Sequence, residues 1–398
     1  MELKLSDRVK SLKPSPTLAI SAKAKELRAK GVPVIGFGAG EPDFDTPEFI
    51  KEAAIKALRE GKTKYAPAAG IPELREALAE KFKTQNGIDY KPSEVVLSTG
   101  AKNILFLLFL MLLNEGDEVL VPAPYWVSYT EQIKLFGGVP VEVPTEEERG
   151  FVLTLEDIKP FVTERTKILI LNSPNNPTGA VIDEKNLKEI AEFCVDRGIF
   201  IISDECYEAF TYDGAKHIST ASLGEEVKKI TFTVNAFSKT YSMTGWRIGY
   251  VGCPNEEYAK VLANLNSQSI SNVTTFAQYG ALEALKNPEG QKFVEKMRTT
   301  FERRRDLMLA KLSEIPEVKV NKPKGAFYVF PNFRNWVAKF ENDIEFTKYL
   351  LEEAKVAVVP GSAFGYEGFL RISYCNADEE IIEGMERIKK ALEKLNTC

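Results

Sequence analysis

Short continuous apolar runs alternate along the chain with longer helix-like segments. The runs at 95–98, 118–121, 167–171, 199–203, 230–234 and 248–253 are rich in β-branched and aromatic residues. They are too short for helices and predict buried strands. Helices are predicted at 47–60 and from about 72 onward, and the apolar run 104–113 predicts a buried one. Strands separated by helices in this way predict a mainly parallel sheet. From about Asn287 the pattern changes to a charged helix at 291–315, followed by strand-like runs at 325–330, 356–361 and 369–374. That is the pattern of a smaller α+β region. Residues 1–30 read as an arm and a helix, with Pro14 and Pro16 marking an extended joint.

Composition narrows the classes of function. The chain has 398 residues, 44% hydrophobic and 27% charged, enough for a large core and a second domain. A net charge of −5 offers no broad attraction for nucleic acid or an anionic membrane. The longest apolar run has ten residues, too few to span a bilayer, and the first residues show no signal-peptide pattern. The cysteines are five and scattered, which suits a cytoplasmic protein and argues against a disulfide framework or a zinc site. His217 is the one histidine. Metal hydrolases and Ser-His-Asp enzymes need more imidazole than this, so no metal is expected and lysine must carry proton chemistry near neutral pH.

Candidate chemistry sits where the runs end. Lys239 follows the 230–234 run in a loop held by rigid neighbours, and Arg247 opens the next run eight residues later. Two cations held close repel and lose hydration, a poor arrangement unless an anion lies between them. A phosphate paired with Arg247, on a ligand whose aldehyde forms a Schiff base with Lys239, meets that need. Pyridoxal 5'-phosphate carries both groups. Neighbouring cations would lower the lysine pKa from its free value of about 10.4. From these two residues alone, a surface loop with solvated charges stays open.

Other run ends fit the same ligand. Thr99-Gly100-Ala101-Lys102 joins a strand to a helix N-terminus, whose N–H groups and dipole suit a phosphate. Asp204 caps the 199–203 run, where a carboxylate pairs with a protonated pyridine nitrogen; it reads also as a helix N-cap. Tyr207 can donate to a phenolic oxygen. Trp126, just past 118–121, offers a flat face near a ligand crevice, or ordinary core packing. Arg371 lies inside an apolar run, where an unpaired charge is expensive and a bidentate carboxylate would satisfy it. Gly36, Gly38 and Gly40 let backbone approach a ligand closely.

Ser238-Lys239-Thr240-Tyr241-Ser242-Met243-Thr244-Gly245-Trp246-Arg247-Ile248-Gly249-Tyr250 resembles the cofactor-attachment signature of the class I aminotransferases. Gly40-Glu41-Pro42-Asp43-Phe44 and Asn175-Asn176-Pro177-Thr178-Gly179 resemble further stretches of the same family, and the matches run in order over essentially the whole chain. Ala236 departs from the signature, which usually has Ser or Gly there, so a hydroxyl is missing and Ser238 must do more.

The resemblance implies an α/β, PLP-dependent transferase of fold type I. Its large domain (47–286) would hold a mainly parallel seven-stranded sheet; 1–46 would form an arm and part of the small domain, and 287–398 the rest. It implies a homodimer with active sites at the interface. Lys239 is then the covalent partner and the 1,3-proton carrier, with Asp204 and Tyr207 beside it. Gly100, Ala101, Lys102, Ser238 and Arg247 match phosphate-side positions, and Tyr65 one that crosses to the neighbouring subunit's phosphate. Trp126 matches the stacking ring and Asn176 the partner of the phenolic oxygen, both bordering the substrate. Gly40 and Arg371 match positions at the substrate α-carboxylate, with Phe364 in the adjoining loop.

Lys102 matches a prokaryotic aspartate aminotransferase subgroup in which lysine reaches the distal carboxylate; by itself it reads also as a solvated first-turn lysine. Lys13 resembles an arm lysine of members that also transaminate prephenate; by itself it is an exposed lysine. The implied reaction moves the amino group of L-aspartate to 2-oxoglutarate. Alternatives on the same fold are aromatic or alanine-type aminotransferases and carbon–sulfur lyases. A cofactor-sensing regulator would add a DNA-binding helix-turn-helix, and a nicotinamide dehydrogenase a Gly-x-Gly-x-x-Gly after a strand; the sequence offers neither.

Overall fold

The computed structural model describes residues 4–10, 12 and 16–397. Its centre is a seven-stranded sheet. In chain order the strands are β1 (Val95–Ser98), β2 (Glu118–Ala123), β3 (Val139–Pro144), β4 (Thr166–Asn172), β5 (Phe200–Asp204), β6 (Thr231–Ala236) and β7 (Gly249–Gly252). They lie side by side as β1-β7-β6-β5-β4-β2-β3. Strands β2 to β6 pair in parallel, whereas β7 runs antiparallel to both β1 and β6.

The central strands are apolar throughout because both faces are covered. Successive side chains point to opposite sides. Val119, Val121, Ile168, Ile170 and Ile202 pack with Ile104, Leu108 and Leu262 from helices Ala101–Leu112 and Glu256–Ser269. Leu120, Leu169, Leu171 and Ile201 pack on the other side with Leu187, Ile190 and Cys194 of helix Glu184–Arg197. That helix is bounded as its sequence dictates: the Asp183 carboxylate accepts from the Asn186 N–H at 3.0 Å, and Gly198 ends it at φ 65°. Each fully buried Leu or Ile contributes about 1.5–3 kcal/mol. Edge strand β3 is half exposed and holds Pro140 and Pro144, tolerable only at an edge.

Two small sheets adjoin this layer. Ile35–Gly36 pairs in parallel with Val356–Ala357, and Val359–Pro360, Leu370–Ser373 and Tyr328–Val329 form an antiparallel trio. The predicted strand 356–361 is thus broken at Val358 into two pieces that belong to different sheets. The predicted strand 325–330 shortens to Tyr328–Val329, since Gly325 packs tightly on Pro174 and the Phe210 carbonyl. Pro16 begins helix Pro16–Ala29 instead of an extended joint, as a proline can where no N–H is needed. Among the described residues no helix is long and apolar enough to cross a membrane.

Topology gathers the strand ends at one edge. The C-terminal ends of β1, β2, β4, β5 and β6 point the same way. Antiparallel β7 brings its N-terminal end, just after Arg247, to that same edge.

Candidate active site

A cavity of about 260 Å³ opens at this edge, lined by Lys102, Trp126, Asn176, Asp204, Tyr207, Ser238, Lys239, Arg247 and Arg371, among others. A wider cleft of about 720 Å³ lies along Thr46, Lys51, Trp246 and Phe276. Lys51 there is committed to Asp45 and Glu48, so the convergent chemistry belongs to the smaller cavity.

Lys239 sits on a short helical turn, Phe237–Thr240, that begins directly at the end of β6, where the sequence predicts a loop. Its amine donates to the Gly40 carbonyl. Burial lowers its pKa; Cys206, Cys375 and Glu41 act against this, and Arg371 adds slightly to it. The cause differs from that expected of the sequence, in which neighbouring cations did the lowering. Arg247 is exposed, so its charge is screened, and loss of hydration dominates.

Asp204 ends β5 and is 5% exposed. Burial raises its pKa, opposed by hydrogen bonds from the Tyr129 hydroxyl at 2.7 Å and the Cys206 N–H at 3.2 Å. Its partners are thus neutral donors. Tyr207 shares a hydrogen bond of 2.8 Å with the Tyr328 hydroxyl, and burial holds its pKa well above the ordinary value. Asn176 is placed by its backbone N–H, which donates to Asn172 Oδ1 at 2.9 Å.

Arg371 is 2% exposed. Its Nη1 donates to Asn176 Oδ1 at 3.0 Å and its Nη2 to the Gly38 carbonyl at 2.6 Å. Among the described residues its buried Nε has no partner. The rings of Tyr328 and Phe364 lie 4.6 and 5.1 Å from the guanidinium carbon. A buried cation held only by neutral groups, with its Nε unpartnered, suits an incoming carboxylate.

The opposite end of the cavity is shaped by glycine. Gly100 has φ 84°, and a Cβ there would come 2.4 Å from Arg247 Nη2. A Cβ on Gly249 would lie 2.4 Å from the Ala101 nitrogen. Glycine alone lets Arg247 lie against the N-terminus of helix Ala101–Leu112, beside Ser238 and Ala236. Lys102 Nζ stands 4.8 Å from the centre of the Trp126 ring, its pKa lowered by burial and secondarily by Arg247.

Most predicted residues therefore meet in one cavity, Gly40 and Ala101 included. Tyr65 does not: it is 89% exposed and lies away from the cavity. Lys13 lies outside the described residues. Two tyrosines escaped the sequence reading. Tyr129 follows Trp126 by three residues, within one helical turn, and that spacing is a signal for it; Tyr328 stands in the short strand after Gly325 and has no comparable one.

The protein-family profile described as "Aminotransferase class I and II" matches residues 32–388. A protein of Aquifex aeolicus named "Probable aspartate/prephenate aminotransferase" is 69% identical, over 98% of this chain and 99% of the relative. The "Aspartate/prephenate aminotransferase" of Thermus thermophilus is 47% identical over 98% of each chain. The solved structure titled as aspartate aminotransferase from Thermus thermophilus with maleate superposes with a TM-score of 0.93 at 46% identity, covering 98% of this chain and all of that one. Family profile, relatives and superposition agree over nearly the full length, and the chain belongs to the class I and II aminotransferases, a family of pyridoxal-phosphate-dependent enzymes.

Proposed function

We propose that this chain transfers the amino group of L-aspartate to 2-oxoglutarate, giving oxaloacetate and L-glutamate, with pyridoxal 5'-phosphate as cofactor. The observation that carries the reading is the shared cavity of Lys239, Asp204 and Arg371: a buried amine, a carboxylate without a cation, and a guanidinium without an anion. The residues fit the cofactor. The Gly100 and Arg247 cradle, which any Cβ would fill, suits a phosphate, and Asp204 suits a protonated ring nitrogen. When bound, the cofactor supplies an aldehyde for an amine and a ring that draws electrons from the attached carbon.

The chain's own groups do the rest. Lys239, its pKa lowered by burial, is the covalent anchor and then the base that carries the proton across the substrate. Tyr129 and the Cys206 N–H favour the ionised form of Asp204 and so oppose the rise that burial gives its pKa. Tyr207 and Asn176 would hold the cofactor's phenolic oxygen, and Trp126 would cover its ring. Arg371 takes the α-carboxylate beside Gly40, and Lys102 the distal one. Two relatives named aspartate/prephenate aminotransferase, and the structure titled with maleate, a dicarboxylate, support a dicarboxylic substrate. Prephenate is included as a further amino acceptor, with Lys13 as the residue to test.

We place the large domain at 47–286 and the small domain on both flanks, consistent with the pairing of Ile35–Gly36 to Val356–Ala357. The working form proposed is a cytoplasmic homodimer in which exposed Tyr65 serves the neighbouring subunit's site. A donor panel tests the function: aspartate with 2-oxoglutarate should yield oxaloacetate faster than alanine yields pyruvate. Release of a thiol from sulfur amino acids would point instead to a lyase.

A further inference from the structure

Behind the strand end that carries Asp204 lies a second group of buried charges that the transamination chemistry does not use. In the turn after β5, Asp204, Cys206 and Tyr207 line the cavity, while Glu205 and Glu208 do not. Glu205 is 1% exposed. It accepts from Ser203 Oγ at 2.8 Å, the Thr220 N–H at 3.2 Å, Ser219 Oγ, and His217 Nε2 at 3.0 Å. Four donors around two oxygens is the pattern of a carboxylate, which accepts only. Glu208 is held by the Lys81 amine and by Asn86 Nδ2 at 2.6 Å, and the same Asn86 nitrogen reaches Ser219 Oγ at 2.7 Å. Three segments meet here: helix Pro72–Asn86, the turn bearing Asp204 and Tyr207, and residues 217–220.

His217 completes the cluster, its side chain 9% exposed. Nε2 must carry a proton to bond the Glu205 carboxylate. Nδ1 is buried and has no partner among the described residues, so the second proton is gained or lost there. The charge count decides between the forms. Two glutamates and one lysine leave an excess negative charge in a buried place, and an imidazolium cancels it. Burial by itself favours the neutral ring; the charge and hydrogen bond of Glu205, with Glu208 behind it, outweigh this against Lys81 and hold the pKa above its ordinary value. The other titratable groups near the glutamates are Tyr90, Tyr241, Tyr250, Cys206 and, beside Glu205, Asp204 itself. Burial first, and the carboxylates after it, raise the three tyrosines and the cysteine, so they add no charge, whereas Asp204 lies on the negative side of the count that the imidazolium offsets.

We propose that protonated His217 is a positioning residue: by neutralising Glu205 it locks the turn that presents Asp204 and Tyr207 to the cavity. The consequence for cofactor retention rests on the function proposed above, whereas the charge clasp does not. The sign follows from linkage. A histidine held above its ordinary value adds stability that is complete below about pH 6.5 and lost as pH rises through its folded-state value. The turn is therefore tightest in mild acid and loosens on the alkaline side.

Because the chain has a single histidine, histidine-labelled full-length holoenzyme gives one imidazole signal and needs no assignment. The ring should titrate with a midpoint above the free value of about 6.5. A midpoint at or below that value overturns the proposal. His217→Gln keeps an N–H donor and leaves the excess negative charge. It should release cofactor faster than the unsubstituted protein at neutral pH and lose the alkaline dependence of release. Glu205→Gln with His217→Gln removes one charge of each sign and should restore retention. A double variant as leaky as the single one shows that shape and not charge holds the turn, and overturns the proposal. If His217→Gln does not fold, the titration of the unsubstituted protein still decides. Protein that carries no cofactor on Lys239 would refute the proposed function while leaving the histidine midpoint intact, so the two failures are distinguishable.

Discussion

The guanidinium of Arg305 is surrounded by opposite charge, and that of Arg371 is not. Arg305 is 0% exposed; it bonds Asp213 at 2.8 and 3.1 Å, Asp306 at 3.0 Å and the Pro323 carbonyl at 3.0 Å. Every nitrogen is engaged. Arg371 is 2% exposed, meets an amide oxygen, a carbonyl and two rings, and keeps Nε unspent. Removing a guanidinium from water has a comparable cost in both places. In one the chain itself offsets that cost with carboxylates, which makes Arg305 part of the fold. In the other the offset is incomplete, which is why we propose Arg371 as the seat of an incoming anion. Asp204 is the mirror image, a buried carboxylate held by a hydroxyl and an N–H.

That contrast between closed and open charges can be broken experimentally. The largest effect is expected at Asp204. Asp204→Ala should cost about 4 kcal/mol or more in kcat/KM, three orders of magnitude or beyond. A mild loss with cofactor still bound would mean that Asp204 is not the ring nitrogen's partner.

The two arginines come next, and their losses should be of different kinds. Arg371→Ala removes a charged, paired hydrogen bond and should lower kcat/KM for all amino donors alike by about 3–4 kcal/mol, with little change in urea stability. Arg305→Ala should instead lower unfolding stability by about 2–3 kcal/mol and leave the donor profile unchanged, since its partners Asp213 and Asp306 can be rehydrated. Equal stability losses would erase the distinction.

Lys102 sharpens the comparison at its weak end: the residue as a whole is exposed, while its amine rests on Trp126 and loses part of its hydration there. Lys102→Ala should cost about 1.5–3 kcal/mol for dicarboxylic donors, ten- to a hundredfold, and spare alanine. A uniform loss across donors would show that it serves only the phosphate end.

What the sequence made legible follows the same division. Arg371 was readable because a charge inside an apolar run has no cheap explanation. Asp204, Asn176 and Lys239 were readable because each stands at or just beyond the end of a buried strand, the edge where a parallel sheet gathers its ligands. Strand β3 was not, since a half-exposed edge with two prolines has the composition of a loop; the seventh strand came from the family resemblance alone. The helical turn under Lys239 was hidden because four residues are too few for a periodic pattern. Tyr129 and Tyr328 hydrogen-bond Asp204 and Tyr207 across 75 and 121 residues; Tyr129 has at least its spacing from Trp126 to mark it, and Tyr328 has no local mark. The cause of the Lys239 shift was misread for a similar reason: whether Arg247 faces solvent is decided by the packing of Gly100 and Gly249.

The central claim is that Lys239 is the residue to which the cofactor is covalently joined. Borohydride reduction of the purified protein, followed by peptide mapping, tests it directly. A reduced pyridoxyl group is expected on Lys239 and nowhere else, and Lys239→Ala should lose turnover while still binding the cofactor without a covalent bond. A pyridoxyl group on any other lysine, or turnover surviving in Lys239→Ala, would contradict the account.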